Sequence, residues 1–230
     1  MYLRNTLLIS TCALASFTGC SFTGDGKKLP VETIDVGACN PTPCVKITLE
    51  NLPELPQSFS PQAAAAIRER VERSLYLPID DTGGEISRKR FVQSVQEQYE
   101  EYLNLKDPQT TVEWNVTRGA SILYANSDIV SIAVKSVGYL GGAHGFNEDT
   151  LFVFDGTTGR QLSWDEVLSV ESKSVFLKAA EAEFKRARSI RPTDSLAGSG
   201  FTFEGGASFG LPVNFAITDK GVLCHYNPYE

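Results

Sequence analysis

Residues 129–155 read IVSIAVKSVGYLGGAHGFNEDTLFVFD. Ile129–Leu140 is an extended apolar run, and Thr150–Asp155 is a second strand of the same character. Between them GGAHG interrupts the pattern, and Gly141 and Gly142 supply the backbone freedom for a bulge or tight bend. His144 in that bend is one of two histidines in the chain. It admits two readings. As a metal ligand or general base it would work with Glu148 and Asp149. Such a metal site needs about three protein ligands, usually clustered. No His-x-x-x-His exists here, and His225 lies far along the chain in a strand rich in aromatics. In the structural reading His144 is buried, bonds backbone carbonyls and holds the bend, and the residues favour this one.

Outward from that stretch the elements sort into strands and helix pairs. TTVEWNVTRGA and SILYANSD are extended runs, and Asn126-Ser127-Asp128 is a hairpin turn into Ile129. Upstream, CVKITLENLP alternates Val45, Ile47 and Leu49 inward. Pro61 opens a helix to Leu75 with Ile67, Val71 and Leu75 on one face. A second helix from Ser87 to Leu105 buries Phe91, Val95, Tyr99 and Tyr102 or Leu103. Downstream, Asp155 caps the turn Asp155–Gly159, and Ser163 with Glu166 matches a capping box. A helix from Ser172 to Arg188 turns Phe176, Ala180, Phe184 and Ala187 inward, and FTFEGG, PVNFAITD and GVLCHYN read as strands. Segregated strands and helices predict an α+β fold of two small subdomains, a largely antiparallel sheet with helices packed on one face. Residues 45–127 form the N-terminal helix-pair/strand subdomain and residues 128–230 the C-terminal α+β domain.

The N-terminus reads as export grammar. MYLRNTLLISTCALASFTGC has one cation at Arg4, an apolar stretch from Leu7 to Phe17, then small residues. Phe17-Thr18-Gly19-Cys20 resembles a bacterial lipobox, so residues 1–20 are expected to be a lipoprotein signal peptide with Cys20 lipidated. Ser21 in place of an inner-membrane retention aspartate points to the outer membrane of a diderm host, facing the periplasm. Residues 21–44 read as a tether. Cys39 and Cys44 bracket NPTP, a proline-tight loop suited to a small disulfide, which leaves Cys224 as a buried free thiol. With 28 acidic against 21 basic residues, net charge −7, the surface disfavours nucleic acid and favours a cationic partner. GTTGR lacks the Lys-Ser/Thr pair of a phosphate loop, and no Gly-x-Ser-x-Gly elbow appears. No cofactor or metal is expected.

Three motifs carry a resemblance: Y-x-GGAHG at Tyr139–Gly145, FD-x-x-TG-x-x-L at Phe154–Leu162, and the closing run Phe215–Glu230 ending in PYE. With the two-helix segment before them, they resemble the bacterial envelope domain of unknown function 3298, over about Val45 to Glu230. That domain is usually preceded by a partner domain of unknown function 4163. The pair forms the ectodomain of the lysozyme-sensing anti-sigma-V factor and the accessory region of some peptidoglycan deacetylases. The resemblance implies a further apolar segment and strand beyond PYE, so the C-terminal domain is expected to be truncated. It implies no catalytic residues. The expected function is therefore a lipid-anchored envelope module, without chemistry of its own, that binds or senses a cell-wall glycan (peptidoglycan) or an envelope protein such as a lysozyme. Tyr139, Gly142, His144 and Asp149 are the candidate binding edge. The rival is a deacetylase-like enzyme acting on wall glycan through His144.

Overall fold

The two helical stretches begin where their caps place them. In the computed structural model, which describes residues 31–36, 45–80, 84–104, 113–203 and 208–227, the Ser60 hydroxyl accepts from the Ala63 amide and Pro61 opens α1 (Pro61–Leu75). Ser87 caps α2 (Arg88–Leu103) in the same way. Their apolar faces lie on one face of a five-stranded sheet in spatial order β1-β2-β3-β4-β5, with strands β1 (Val31–Val36), β2 (Val45–Glu50), β3 (Trp114–Ala125), β4 (Ile129–Tyr139) and β5 (Phe146–Asp155). Ile67, Val71 and Leu75 of α1 pack with Val130, Ile132, Val134, Phe152 and Phe154. Phe91, Val95 and Tyr99 of α2 pack with Val45, Ile47, Leu49, Trp114 and Val116. Only β2 and β3 run parallel, because the helix pair is the crossover between them.

The opposite face of β4 and β5 carries the hairpin β6 (Asn214–Thr218) and β7 (Gly221–His225), docked where the Ile217 amide donates to Ser131 Oγ at 3.0 Å. A four-residue helix α3 (Trp164–Val167) and the longer α4 (Val170–Ala187) close this side. Trp164 stacks on Phe215 at 3.9 Å between ring centroids. Phe184 of α4 meets Phe201, Phe203, Phe209 and Tyr226. The fold is α+β with a mostly antiparallel sheet, and Ser163 and Glu166 form the capping box.

Several boundaries differ from the sequence reading. Residues 31–36 belong to β1, where a tether was expected; VETIDV alternates, and Ile34 and Val36 join the α2 core while Thr33 and Asp35 stay exposed. TTVEWNVTRGA and SILYANSD contribute to one strand, β3, bent at an irregularity between Ile122 and Tyr124. The strand expected at Thr150 begins at Phe146, so Glu148 and Asp149 sit in the β4–β5 ladder instead of a loop. Of the expected strand FTFEGG, Phe201 and Thr202 are irregular, Phe203 makes a single bridge, and residues 204–206 lie outside the described residues. Ala187 is exposed, because Phe184 supplies the apolar contact at that end of α4. The sheet runs unbroken through the Asn126–Asp128 turn, where Asn126 Oδ1 accepts from the amides of Asp128 and Ile129. Cys20, Cys39, Cys44 and the PYE ending lie outside the described residues. Cys224 is buried in β7.

Candidate functional site

The GGAHG bend is held from both sides of the backbone. Gly141 and Gly142 take φ of +86° and +81°, the left-handed region that favours glycine. Tyr139 Oη donates to the Gly142 carbonyl at 2.8 Å. Approach is close beneath: a Cβ on Gly141 would stand 2.8 Å from Trp114 Cζ2, and one on Gly138 only 2.2 Å from the Asn115 carbonyl oxygen. Trp114 itself is buried, edged by Tyr99 and Tyr102 at 5.3 and 4.9 Å between centroids.

His144 is exposed on this bend, and its Nδ1 lies 2.9 Å from the Gly145 carbonyl oxygen. The expected buried histidine is therefore not found: the glycines shape the loop, and the ring projects to solvent.

Asp149 goes elsewhere. On β5 its carboxylate is 3.7 Å from His225 Nε2, and its side chain is 13 % exposed. Its amide donates to Asn227 Oδ1 at 2.9 Å, and Asn227 Nδ2 donates back to its carbonyl at 3.0 Å. His225 Nε2 also lies 3.3 Å from Asn227 Oδ1. The structure thus joins Tyr139 to Gly142, leaves His144 beside them on the loop, and pairs Asp149 with His225 and Asn227. Among the described residues no group of three or more His, Cys, Asp or Glu side chains is placed to hold a metal.

Around this bend the sheet has a strip that no other described element covers. Thr33, Thr48, Thr117, Val137 and Asn147 stand in one row across all five strands. Asp35, Lys46, Asn115 and Tyr139 form the next row. Cross-strand partners share a face. Ser131, six residues before Val137 on β4, shares it too and lies under β6, so the hairpin covers one end of this face and leaves the rows above open. Thr33, Asn115, Val137 and Asn147 are exposed, and Thr48, Thr117 and Tyr139 half-buried. Hydroxyls and amides share the strip with Val137 and with the charged Asp35 and Lys46, while the Tyr139 ring packs against the α2 core.

Sequence reasoning missed Arg118, the buried cation of the opposite face. Its Nη1 donates to the carbonyls of Leu75 (3.1 Å) and Leu77 (2.5 Å), its Nε donates to Ser136 Oγ (3.1 Å), and its guanidinium lies 4.2 Å from the Phe91 ring centroid. Burial pushes it down to about 10, and Glu148 works against that shift. It ends α1 by taking carbonyls the helix cannot use. An arginine between glycine and threonine in a strand carries no sign of that role. His225 was visible, but nothing local tied it to Asp149.

No protein-family model matches the chain, and no curated protein is similar to it in sequence. Solved structures are similar in fold. A DUF3298 family protein of Pseudomonas aeruginosa PAO1 superposes with a TM-score of 0.56 at 17% identity, over 86% of this chain and 83% of that one. A member of the same family from Bacteroides fragilis gives 0.56 at 14% identity, over 87% and 90%. At such identities the shared property is the fold, and this chain has the fold of those DUF3298 proteins.

Proposed function

We propose that the chain is a DUF3298-type lipoprotein of the bacterial envelope, anchored through Cys20, whose folded part binds a cell-wall glycan without chemistry of its own. The uncovered strip beside the GGAHG bend supports this reading most directly. Its hydroxyls and amides offer donors and acceptors to a sugar's hydroxyls, and Val137 offers apolar surface to the ring's C–H face. The net charge of −7 favours a second reading, a cationic envelope protein such as a lysozyme.

In the glycan reading His144 is a rim contact, and Asp149 with His225 and Asn227 ties β7 to β5. A deacetylase-like role for His144 would need a partner within reach, and Asp149 is turned to His225. The test is co-sedimentation of the full chain with purified peptidoglycan sacculi, beside capture on immobilised lysozyme and an assay of acetate release. Sedimentation that is lost on Thr117→Lys with an unchanged Tm supports the glycan reading. Capture by lysozyme alone, or acetate release that disappears in His144→Ala, overturns it. Mass spectrometry of the mature N-terminus checks the anchor: a diacylglyceryl cysteine at Cys20 is expected, and an unmodified terminus elsewhere removes the lipoprotein claim.

A further inference from the structure

The bend covers a donor that no described residue bonds. Trp114 is 2 % exposed, and its indole Nε1–H has no hydrogen-bond partner among the described residues. Buried polar hydrogens are almost always paired, and one that is not asks for a reason. The other tryptophan obeys the rule, since Trp164 Nε1 donates to the Pro212 carbonyl at 2.8 Å. The edge of Trp114 that carries Nε1 faces Gly141: a Cβ there would lie 2.8 Å from Cζ2, 3.3 Å from Cε2 and 3.6 Å from Nε1. Any other residue at 141 would fill that approach. The cover is two successive glycines at positive φ, pinned through Gly142 to Tyr139 Oη. A Cβ at Gly142 would meet nothing within 4 Å, so the outer side of the bend is open.

We propose that the Trp114 indole N–H, beneath Gly141 and Gly142, is the recognition point for the acetamido carbonyl of an N-acetylated sugar, admitted when the bend lifts. This deepens the glycan reading and rests on it. The chemistry of the surroundings selects the group. Tyr99 and Tyr102 edge the Trp114 ring, and Tyr139, Leu140 and Phe146 pack against the same core. A carboxylate or phosphate brought among them would lose its hydration with no cation in return. A hydroxyl would bring a donor of its own that needs an acceptor, whereas a carbonyl only accepts. The donor is buried, so the group must hang from its chain and reach in end-on, which a peptide-backbone carbonyl does not do. A pendant Asn or Gln amide could reach, but it would turn an NH2 to the tyrosine rings. An acetamido group turns a methyl to them.

With only two tryptophans in the chain, their indole N–H signals are a direct readout in the 15N-labelled full-length protein. Addition of the trimer of N-acetylglucosamine is expected to move the Trp114 proton downfield and slow its exchange with water, leaving Trp164 in place. The glucose trimer, which lacks the acetamido group, should move neither. Trp114→Phe keeps an aromatic ring and should weaken binding of the N-acetylglucosamine trimer roughly fivefold to tenfold, the loss of one neutral hydrogen bond. A Trp114 signal that stays put at saturating trimer overturns the proposal. So does an equal response to the glucose trimer, or a response to an acetylated asparagine peptide without one to the sugar. Sacculi that still sediment the protein while Trp114 is silent would sink this inference alone. A Trp114 response without sedimentation would support it and sink the wider reading.

Discussion

Arg118 is the residue whose loss should be felt most. It is 8 % exposed and bonds two carbonyls at the end of α1 together with a hydroxyl on β4. Arg118→Leu keeps apolar contact with Phe91 and orphans the carbonyls of Leu75 and Leu77. Leaving buried acceptors unpaired predicts about 2–4 kcal/mol of lost stability, read by urea unfolding. His144→Ala is the opposite case. An exposed ring against one neighbouring carbonyl predicts a change within about 0.5 kcal/mol, and a loss above 1.5 kcal/mol would mean the loop depends on the ring after all. Glu166 gives a pH signature. The Ser163 amide first, then Arg160 and the Ser163 hydroxyl, hold its carboxyl below 4.5. A depressed folded value means the unfolded chain takes up the proton first as pH falls, so this contribution is present above about 4.5 and lost below it. The gap in urea midpoint between parent and Glu166→Gln should therefore close as pH drops from 6 to 3. A gap that stays constant would deny the capping box its charge.

At the scale of elements, the outer edge of β5 shows how the fold protects an exposed strand. The carbonyl of Val153 accepts from the Leu162 amide at 2.7 Å, and the Asp155 amide donates to the Arg160 carbonyl at 2.9 Å. Further along, the amides of Leu151 and Asp149 donate to the side-chain carbonyls of Asn214 and Asn227. The Asp155–Gly159 turn and the β6–β7 hairpin thus cap the same edge. Asn214→Ala and Asn227→Ala should each cost about 1 kcal/mol. Amide exchange should quicken locally, at Leu151 in the first variant and Asp149 in the second. Unchanged exchange at those amides would show that the asparagines do not guard the edge. Gly138→Ala probes the ladder itself: its Cβ would meet backbone on β3 at 2.2 Å, so strands must part, at roughly 1–3 kcal/mol.

Across the whole molecule, two cores lie on one face of the sheet and an aromatic cluster gathers on the other side. Tyr76 packs against both of the first two, and Arg118 spans them from Leu75 to Phe91. On that other side Trp164 stacks on Phe215, in the hairpin docked on Ser131. Such sharing predicts one cooperative transition. Trp114 sits in the α2 core and Trp164 against the hairpin on the other side, so the variants Trp164→Phe and Trp114→Phe each report one side by fluorescence. Coincident urea midpoints, after allowing for each variant's stability by circular dichroism, are expected. Separate transitions would mean that the two sides of residue 128 unfold as independent subdomains.

Local physics made much of the fold readable from the chain alone. Ser60-Pro61 and Ser87 start helices by supplying an acceptor to a free amide, whatever lies around them. Asn126 and Asp155 shape their turns through bonds to amides two or three residues away. Ile67, Val71 and Leu75 align by helical period alone. Tertiary structure decided what depends on distant partners. Residues 31–36 are a strand only because β2 offers a ladder, and Phe146–Asp149 extend β5 only because β4 reaches that far. Asp149 meets His225 because β7 ends beside β5, and Arg118 finds carbonyls at the end of α1 across the sheet face. The Trp114 indole, unpaired among the described residues, likewise becomes apparent only when the bend at Gly141 closes over it. Short-range hydrogen bonds and periodicity are written within a few residues, whereas pairing across tens of residues is set by packing, which no local pattern encodes.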